Sequence, residues 1–315
     1  MSLRIIFFGT PEFAVPPLRD LLASGDRVVG VVCQPDRPAG RGQKLSAPPV
    51  KEAALAAGVP VLQPEKVRTE EFLSQLRAWT PDIIIVVAYG RILPKPILEL
   101  PRLGCINVHA SLLPKYRGAA PIQWAIYRGE THTGVTIMRI NERMDAGDML
   151  LQRETGIGES ETYGELQTRL SELGAAALLE ALPRIADGSI EATVQVEEEA
   201  THAPMVKKED GRIDWQKPAV EIARMVRAFN PWPSAYTFVA GKRLQIHRAH
   251  VAESSAVGSA AAAIAGQVHS VGEGIAIGTG NGLLIADELQ IEGKRRLPAG
   301  EISRSGQLSV GAQLG

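Results

Sequence analysis

LRIIFFGTPEFAVPPLRDLLASGDRVVGVVC, residues 3–33, decides the fold class. Its two apolar runs, 3–8 and 27–33, have the length and the β-branched and aromatic content of buried strands, and 14–24 between them carries apolar residues at helical spacing. That is a βαβ opening. The alternation continues through 50–57, 61–62, 69–79, 83–88, 97–100 and 105–108, which predicts an α/β fold: a Rossmann-like, mostly parallel sheet with helices on both faces. Ligands of such sheets bind beyond the carboxyl ends of the strands, where Gly9-Thr10, Tyr89-Gly90 and Asn107 to His109 fall. The turn after the first strand lacks GxGxxG, so no nicotinamide cofactor is expected.

In the strand at 105–108 successive side chains alternate faces, so Asn107 and His109 emerge together while Ile106 and Val108 turn away. A carboxamide donor thus stands beside an imidazole base. Asp145 follows thirty-six residues later in the turn Met144-Asp145-Ala146-Gly147-Asp148, able to return to the same point. The trio suits acyl transfer: Asn107 to donate to a developing oxyanion, His109 to take or relay a proton, Asp145 to hold the imidazole's tautomer or to move protons through a water. A lone His at a strand end is otherwise an ordinary hydrogen-bonded residue. A rival reading makes Asp145 and Asp148 ligands of a divalent cation, but their spacing matches no known cage, and no metal is expected.

Beyond strands at 134–140 and 149–155 and a long helix at 163–186, residues 191–206 lose any apolar period and read as a linker. A chain of 315 residues exceeds one core, and two domains are predicted, 1–204 and 205–315. The second has a helix at 219–228 and short strands at 235–239, 244–251, 265–271, 275–278 and 283–290 with turn chemistry at Gly241-Lys242 and Gly280-Asn281-Gly282. This predicts a smaller OB-like antiparallel β-barrel, with 252–265 as an Ala, Ser and Gly-rich mobile loop. The formal net charge is −1, yet residues 205–315 hold 13 Lys and Arg against 10 Asp and Glu, a mildly basic balance compatible with a phosphate-rich partner. Cys33 and Cys105 lie in apolar runs and form no disulfide framework; with no apolar stretch near ~20 residues, a cytoplasmic protein without membrane contact is expected.

The string SLLPKYRGAAPIQW at 111–124, directly after Asn107-Val108-His109, resembles the signature of the folate-dependent formyltransferases. Gly9-Thr10-Pro11-Glu12-Phe13-Ala14, Gln34-Pro35-Asp36-Arg37-Pro38, Asp145-Ala146-Gly147-Asp148 and Phe229-Asn230-Pro231-Trp232-Pro233 extend the likeness, from end to end, to the methionyl-tRNA branch of that family. The resemblance implies 10-formyltetrahydrofolate as formyl donor, bound near Tyr89, Gly90, Ile92 and Leu93, Ser111, Leu112, Leu113 and Pro114, and Met144, Ala146 and Gly147. It implies initiator methionyl-tRNA as acceptor, engaged by the basic loop at 34–44 through Arg37, Arg41 and Lys44, and by Lys207 and Lys208 in the second domain. That loop has no core anchor and should be mobile. No obligate protein partner is indicated. Trp232 between two prolines reads as a packing corner. A relative acting on a small amine or amino sugar would share the trio, and a noncatalytic RNA-binding module would not need it.

Overall fold

A computed structural model describes residues 2–39, 44–252 and 264–315. Seven strands make one sheet in the order Met149–Gly156, His132–Arg139, Cys105–His109, Ile83–Val87, Arg4–Gly9, Arg27–Val32, Val61–Leu62. The five from Cys105–His109 onward are parallel, and the other two run antiparallel to their neighbours. The chain builds outward from Arg4–Gly9 to Val61–Leu62, then crosses back to add Ile83–Val87 on the other flank. A crevice therefore opens at the carboxyl ends of Arg4–Gly9 and Ile83–Val87. The Tyr89 carbonyl ties its floor, accepting from Thr10 Oγ1 at 3.3 Å and Gln34 Nε2 at 3.0 Å.

Ile6, Ile84 and Cys105 are register partners, as are Phe8, Val86 and Asn107, so all six share one face. Phe72, Leu73 and Leu76 of the helix Glu70–Ala78 pack on its apolar part, each such buried side chain contributing roughly 1.5–3 kcal/mol. The opposite face meets the helix Tyr163–Ala186, which approaches so closely that a Cβ on Gly174 would lie 2.8 Å from Val108. Helices cover both faces, as the alternating pattern predicts.

That long helix begins with a reciprocal cap: Thr162 Oγ1 accepts from Glu165 N at 3.4 Å, and Glu165 Oε2 accepts from Thr162 N and Oγ1, each at 2.8 Å. The Thr162 backbone bond, then its hydroxyl, hold the Glu165 carboxyl below its ordinary 4.5. A carboxyl depressed on folding stabilises above its unfolded value, and this contribution is lost as pH falls below about 4.5. Thr162→Ala is expected to cost about 1 kcal/mol at neutral pH, read as a lower denaturant midpoint at unchanged slope. A midpoint equal to that of the parent would dismiss the cap.

A second sheet is antiparallel, in the order Ala235–Val239, Lys242–Val251, Leu283–Ile291, Ile275–Gly278, Val268–Val271, with Leu297–Pro298 also on Leu283–Ile291. Among the described residues its outer strands do not pair with each other, so the expected closed barrel is not formed. The physical reason is that residues 311–315 lie between the outer strands: Val268 exchanges bonds with Gly311 and Ala312, and Gly315 N donates to Phe238 O at 3.1 Å. Residues 253–263, most of the expected Ala, Ser and Gly-rich loop, lie outside the described residues. The basic loop is not wholly irregular, since Arg37–Ala39 and Lys44–Ser46 pair as a short antiparallel hairpin.

Two compact units emerge. The first comprises residues 1–121, 132–156 and 167–204, and the second residues 122–131, 157–166 and 205–315. Segment 122–131 joins the second through Tyr127, whose ring stacks on Phe229 at 5.8 Å and whose hydroxyl accepts from Lys217 and donates to Glu221, both at 2.8 Å. Phe229 is thus the packed aromatic of the Phe229 to Pro233 string, whereas Trp232 is 53% exposed. Among the described residues no helix is long and apolar enough to cross a membrane.

Candidate active site

The strand Cys105–His109 ends at the carboxyl edge of the parallel sheet and delivers His109, which is 5% exposed. Its Nε2 lies 3.0 Å from the Tyr116 carbonyl. A carbonyl only accepts, so the neutral ring carries its proton on Nε2 and keeps a lone pair on Nδ1. Asp145 Oδ2 stands 3.9 Å from that Nδ1, too far for a hydrogen bond and close enough to stabilise a protonated ring. Asp145 reaches this point in a left-handed conformation, φ +49°, which a short polar side chain tolerates. Its Oδ2 also accepts from Gly118 N at 2.9 Å. The ring's tautomer is therefore set by Tyr116, and the carboxylate is left facing the lone pair.

Asn107, two residues upstream, is half-buried on the same face. Among the described residues no protein group hydrogen-bonds to its carboxamide. The loop after the strand is folded on its own polar groups. Thr136, opposite His109 in the next strand, donates to Ser111 O at 2.6 Å and accepts from Leu113 N at 3.1 Å, and Gln152 Nε2 donates to Leu113 O at 2.9 Å. Ser111 Oγ donates to Lys115 O at 2.6 Å. Among the described residues no set of three His, Cys, Asp or Glu side chains converges on one point.

The residues expected around the folate divide into groups. Ile92, 62% exposed, and buried Leu93 line a cavity of about 440 Å³ whose rim carries Arg68, Lys95 and Glu142. Tyr89 and Gly90 line a separate cavity of about 520 Å³ at the sheet crevice, with Thr10, Pro11, Gln34 and Arg37. Burial pushes the Tyr89 hydroxyl up to about 12, which keeps it protonated at neutral pH. Ser111 and Leu113 are buried in the loop, Leu112 and Pro114 are half-buried, and Met144 is 63% exposed. In the acidic turn Gln195 Nε2 donates to the carbonyls of Asp145 at 2.9 Å and Gly147 at 2.7 Å, so these two backbone groups are already engaged. Ala146 between them is half-buried.

Of the basic residues, Arg37 is exposed at the start of the hairpin, and Lys207 and Lys208 are exposed in the second unit. Arg41 lies outside the described residues, and Lys44 enters as the backbone partner of Ala39. Tyr116, Gly118, Thr136, Gln152, Gln195 and Thr201 escaped the sequence reading as site residues. The first two sit inside the 111–124 string, where the hint was available, and the others carry no local signal.

The formyl transferase family model matches residues 3–182, and the formyl transferase C-terminal domain model matches residues 205–306. A methionyl-tRNA formyltransferase of Desulfotalea psychrophila is 53% identical over 297 residues, covering 94% of this chain and 90% of the relative. One from Citrifermentans bemidjiense is 49% identical over 315 residues, covering 100% and 97%. Among solved structures, HypX from Aquifex aeolicus in complex with tetrahydrofolic acid aligns with a TM-score of 0.63 at 21% identity over 96% of this chain and 47% of that one. WlaRD, a sugar 3N-formyl transferase, aligns at 0.64 and 17% identity over 94% and 100%, so the fold is shared. Both domains are present in order, and the matched relatives align over nine-tenths or more of their length; the chain belongs to the methionyl-tRNA formyltransferase family.

Proposed function

We propose that the chain transfers the formyl group of 10-formyltetrahydrofolate to the α-amino group of methionine esterified to initiator tRNA, in the cytoplasm, for translation initiation. The observation that carries the reading is the His109 lone pair, turned toward the Asp145 carboxylate on the strand face that also presents the unpartnered Asn107 carboxamide. The amine nitrogen bonds to the formyl carbon, and Asn107 donates an N–H to the oxyanion that forms, an effect worth about 2.7–4 kcal/mol where such donors have been removed. His109 Nδ1 accepts the amine proton, with Asp145 stabilising the imidazolium. The proton passes to N10 as the bond from N10 to carbon breaks, leaving formylmethionyl-tRNA and tetrahydrofolate.

The cavity at Ile92 and Leu93 is the candidate pterin and benzoyl site; Ser111, Leu112, Leu113 and Pro114 of the loop and Met144, Ala146 and Gly147 of the acidic turn, which do not line it, are the further candidate contacts to the folate. The cavity of Thr10, Pro11, Tyr89 and Gly90 is the candidate entry for the acceptor end, its Tyr89 and Gly90 wall shared with the folate, and Arg37, Arg41 and Lys44 of the basic loop are the candidate contacts to the RNA phosphates. The antiparallel sheet of the second unit, read as an OB-like surface, carries the tRNA backbone with Lys207 and Lys208. The deciding experiment offers labelled formyl-folate to charged initiator tRNA, charged elongator tRNA and an amino sugar. Label on initiator methionine supports the reading; label on the sugar alone overturns it.

Lys207→Ala with Lys208→Ala is expected to raise the KM for tRNA at unchanged kcat and to reduce the slope of log affinity against log salt by about 2. An unaltered slope would remove these lysines from the RNA track.

A further inference from the structure

We infer that residues 193–203 are a positioning clamp on the reaction centre, Gln195 setting Asp145 and Thr201 setting the carbonyl that holds His109. The inference rests on the proposed reaction and adds residues to it. The segment has no apolar periodicity and lies outside both matched family regions, yet it belongs to the first unit and bonds into it. Gln195 is 7% exposed. Its Nε2 donates to the Asp145 and Gly147 carbonyls at 2.9 and 2.7 Å, while its Oε1 accepts from Arg117 Nε at 3.0 Å. The amide can face only this way, because the reversed orientation would set an oxygen against two carbonyls and a nitrogen against a guanidinium. Arg117 is itself held by both oxygens of Glu197, at 3.1 Å each, and Arg143 grips Glu197 at 2.8 Å. Two buried donors thus fix the turn that carries the catalytic carboxylate.

The second arm reaches the imidazole. Tyr116 has φ +62°, a region costly for an aromatic residue, and it is kept there by its N–H donating to Thr201 Oγ1 at 2.9 Å. The Tyr116 carbonyl so oriented accepts a hydrogen bond from His109 Nε2. Next along the chain, Arg117–Gly118 pairs in parallel with His202–Ala203, and Gly118 N donates to Asp145 Oδ2. One short segment therefore grips both ends of the His109 and Asp145 pair. Reacting groups misplaced by 1 Å lose about 10²-fold in rate, so such a grip acts on turnover rather than on binding.

Gln195→Glu keeps the side-chain volume and the acceptor for Arg117 but removes both N–H donors. Its expected effect on transfer to methionyl-tRNA is a kcat lower by about 10- to 100-fold with KM for both substrates within about twofold. Placed in an Asp145→Ala background it is expected to add no further loss, since the group it positions is gone. Unchanged kcat, or an equal loss in both backgrounds, overturns the clamp. Thr201→Val tests the other arm independently and is expected to lower kcat, with Thr201→Ser, which keeps the hydroxyl, restoring it; equal rates for the two variants overturn that arm. A parent chain inactive on methionyl-tRNA would instead sink the proposed function, so the two failures are distinguishable.

Discussion

His109→Ala is expected to lower kcat for formyl transfer by about 10²–10⁴-fold while leaving the KM for tRNA and folate near the parental values. The magnitude follows from removing the one base whose lone pair faces the Asp145 carboxylate on the Asn107 face. The side chain is almost fully buried, so its loss also removes a buried hydrogen bond to the Tyr116 carbonyl, at a cost of about 1–3 kcal/mol in stability. His109→Gln separates the two effects, because its amide can still donate toward Tyr116 but supplies no base. Parental kcat in the Gln variant would retire His109 as the proton acceptor. Loss of transfer with retained tRNA binding would also exclude the noncatalytic RNA-binding module.

The parallel sheet was legible because its strands are short apolar runs separated by helical periods, a pattern that depends on neighbours in sequence. That the outer strands of the second sheet do not pair directly was not. Turn chemistry at Gly241 and Gly280 announces hairpins, but whether the outer strands meet depends on what else competes for their edges, here residues 311–315. Likewise the Pro and Gly content of 34–44 reads as a loop, whereas pairing of Arg37 with Ser46 organises its ends.

At the site the same division holds. Asn107 and His109 announce themselves by alternation within one strand, and Asp145 by an acidic turn. The groups that set their geometry arrive from far along the chain: Thr201 is 85 residues from Tyr116, and Gln195 is 50 from Asp145. A glutamine in a stretch without periodicity carries no sign that its amide will bridge two carbonyls. Its neighbours Val194 and Val196 are exposed, so even the hydrophobic pattern points away from it.

Gly147→Ala is the second large effect expected, and it arises from space alone. A Cβ at this position would lie 1.9 Å from the Arg139 carbonyl oxygen, where contacts under 3.0 Å essentially never occur. Backbone must therefore move by about 1 Å, and the neighbouring strand His132–Arg139 is fixed on both sides by its partners, so the acidic turn is the part that yields. The displaced stretch contains both carbonyls that Gln195 holds and the carboxylate that faces His109. The expected outcome is a kcat lower by about 10²-fold with a stability loss of about 1–3 kcal/mol. The proposed binding of tRNA through Lys207 and Lys208 should persist, since both lie in the second unit, outside the disturbed turn. Transfer kinetics and tRNA affinity measured on the same preparation separate these effects. Retention of parental kcat would show that the chemistry tolerates a displaced Asp145, and with it the assignment of that carboxylate to the imidazolium would fall.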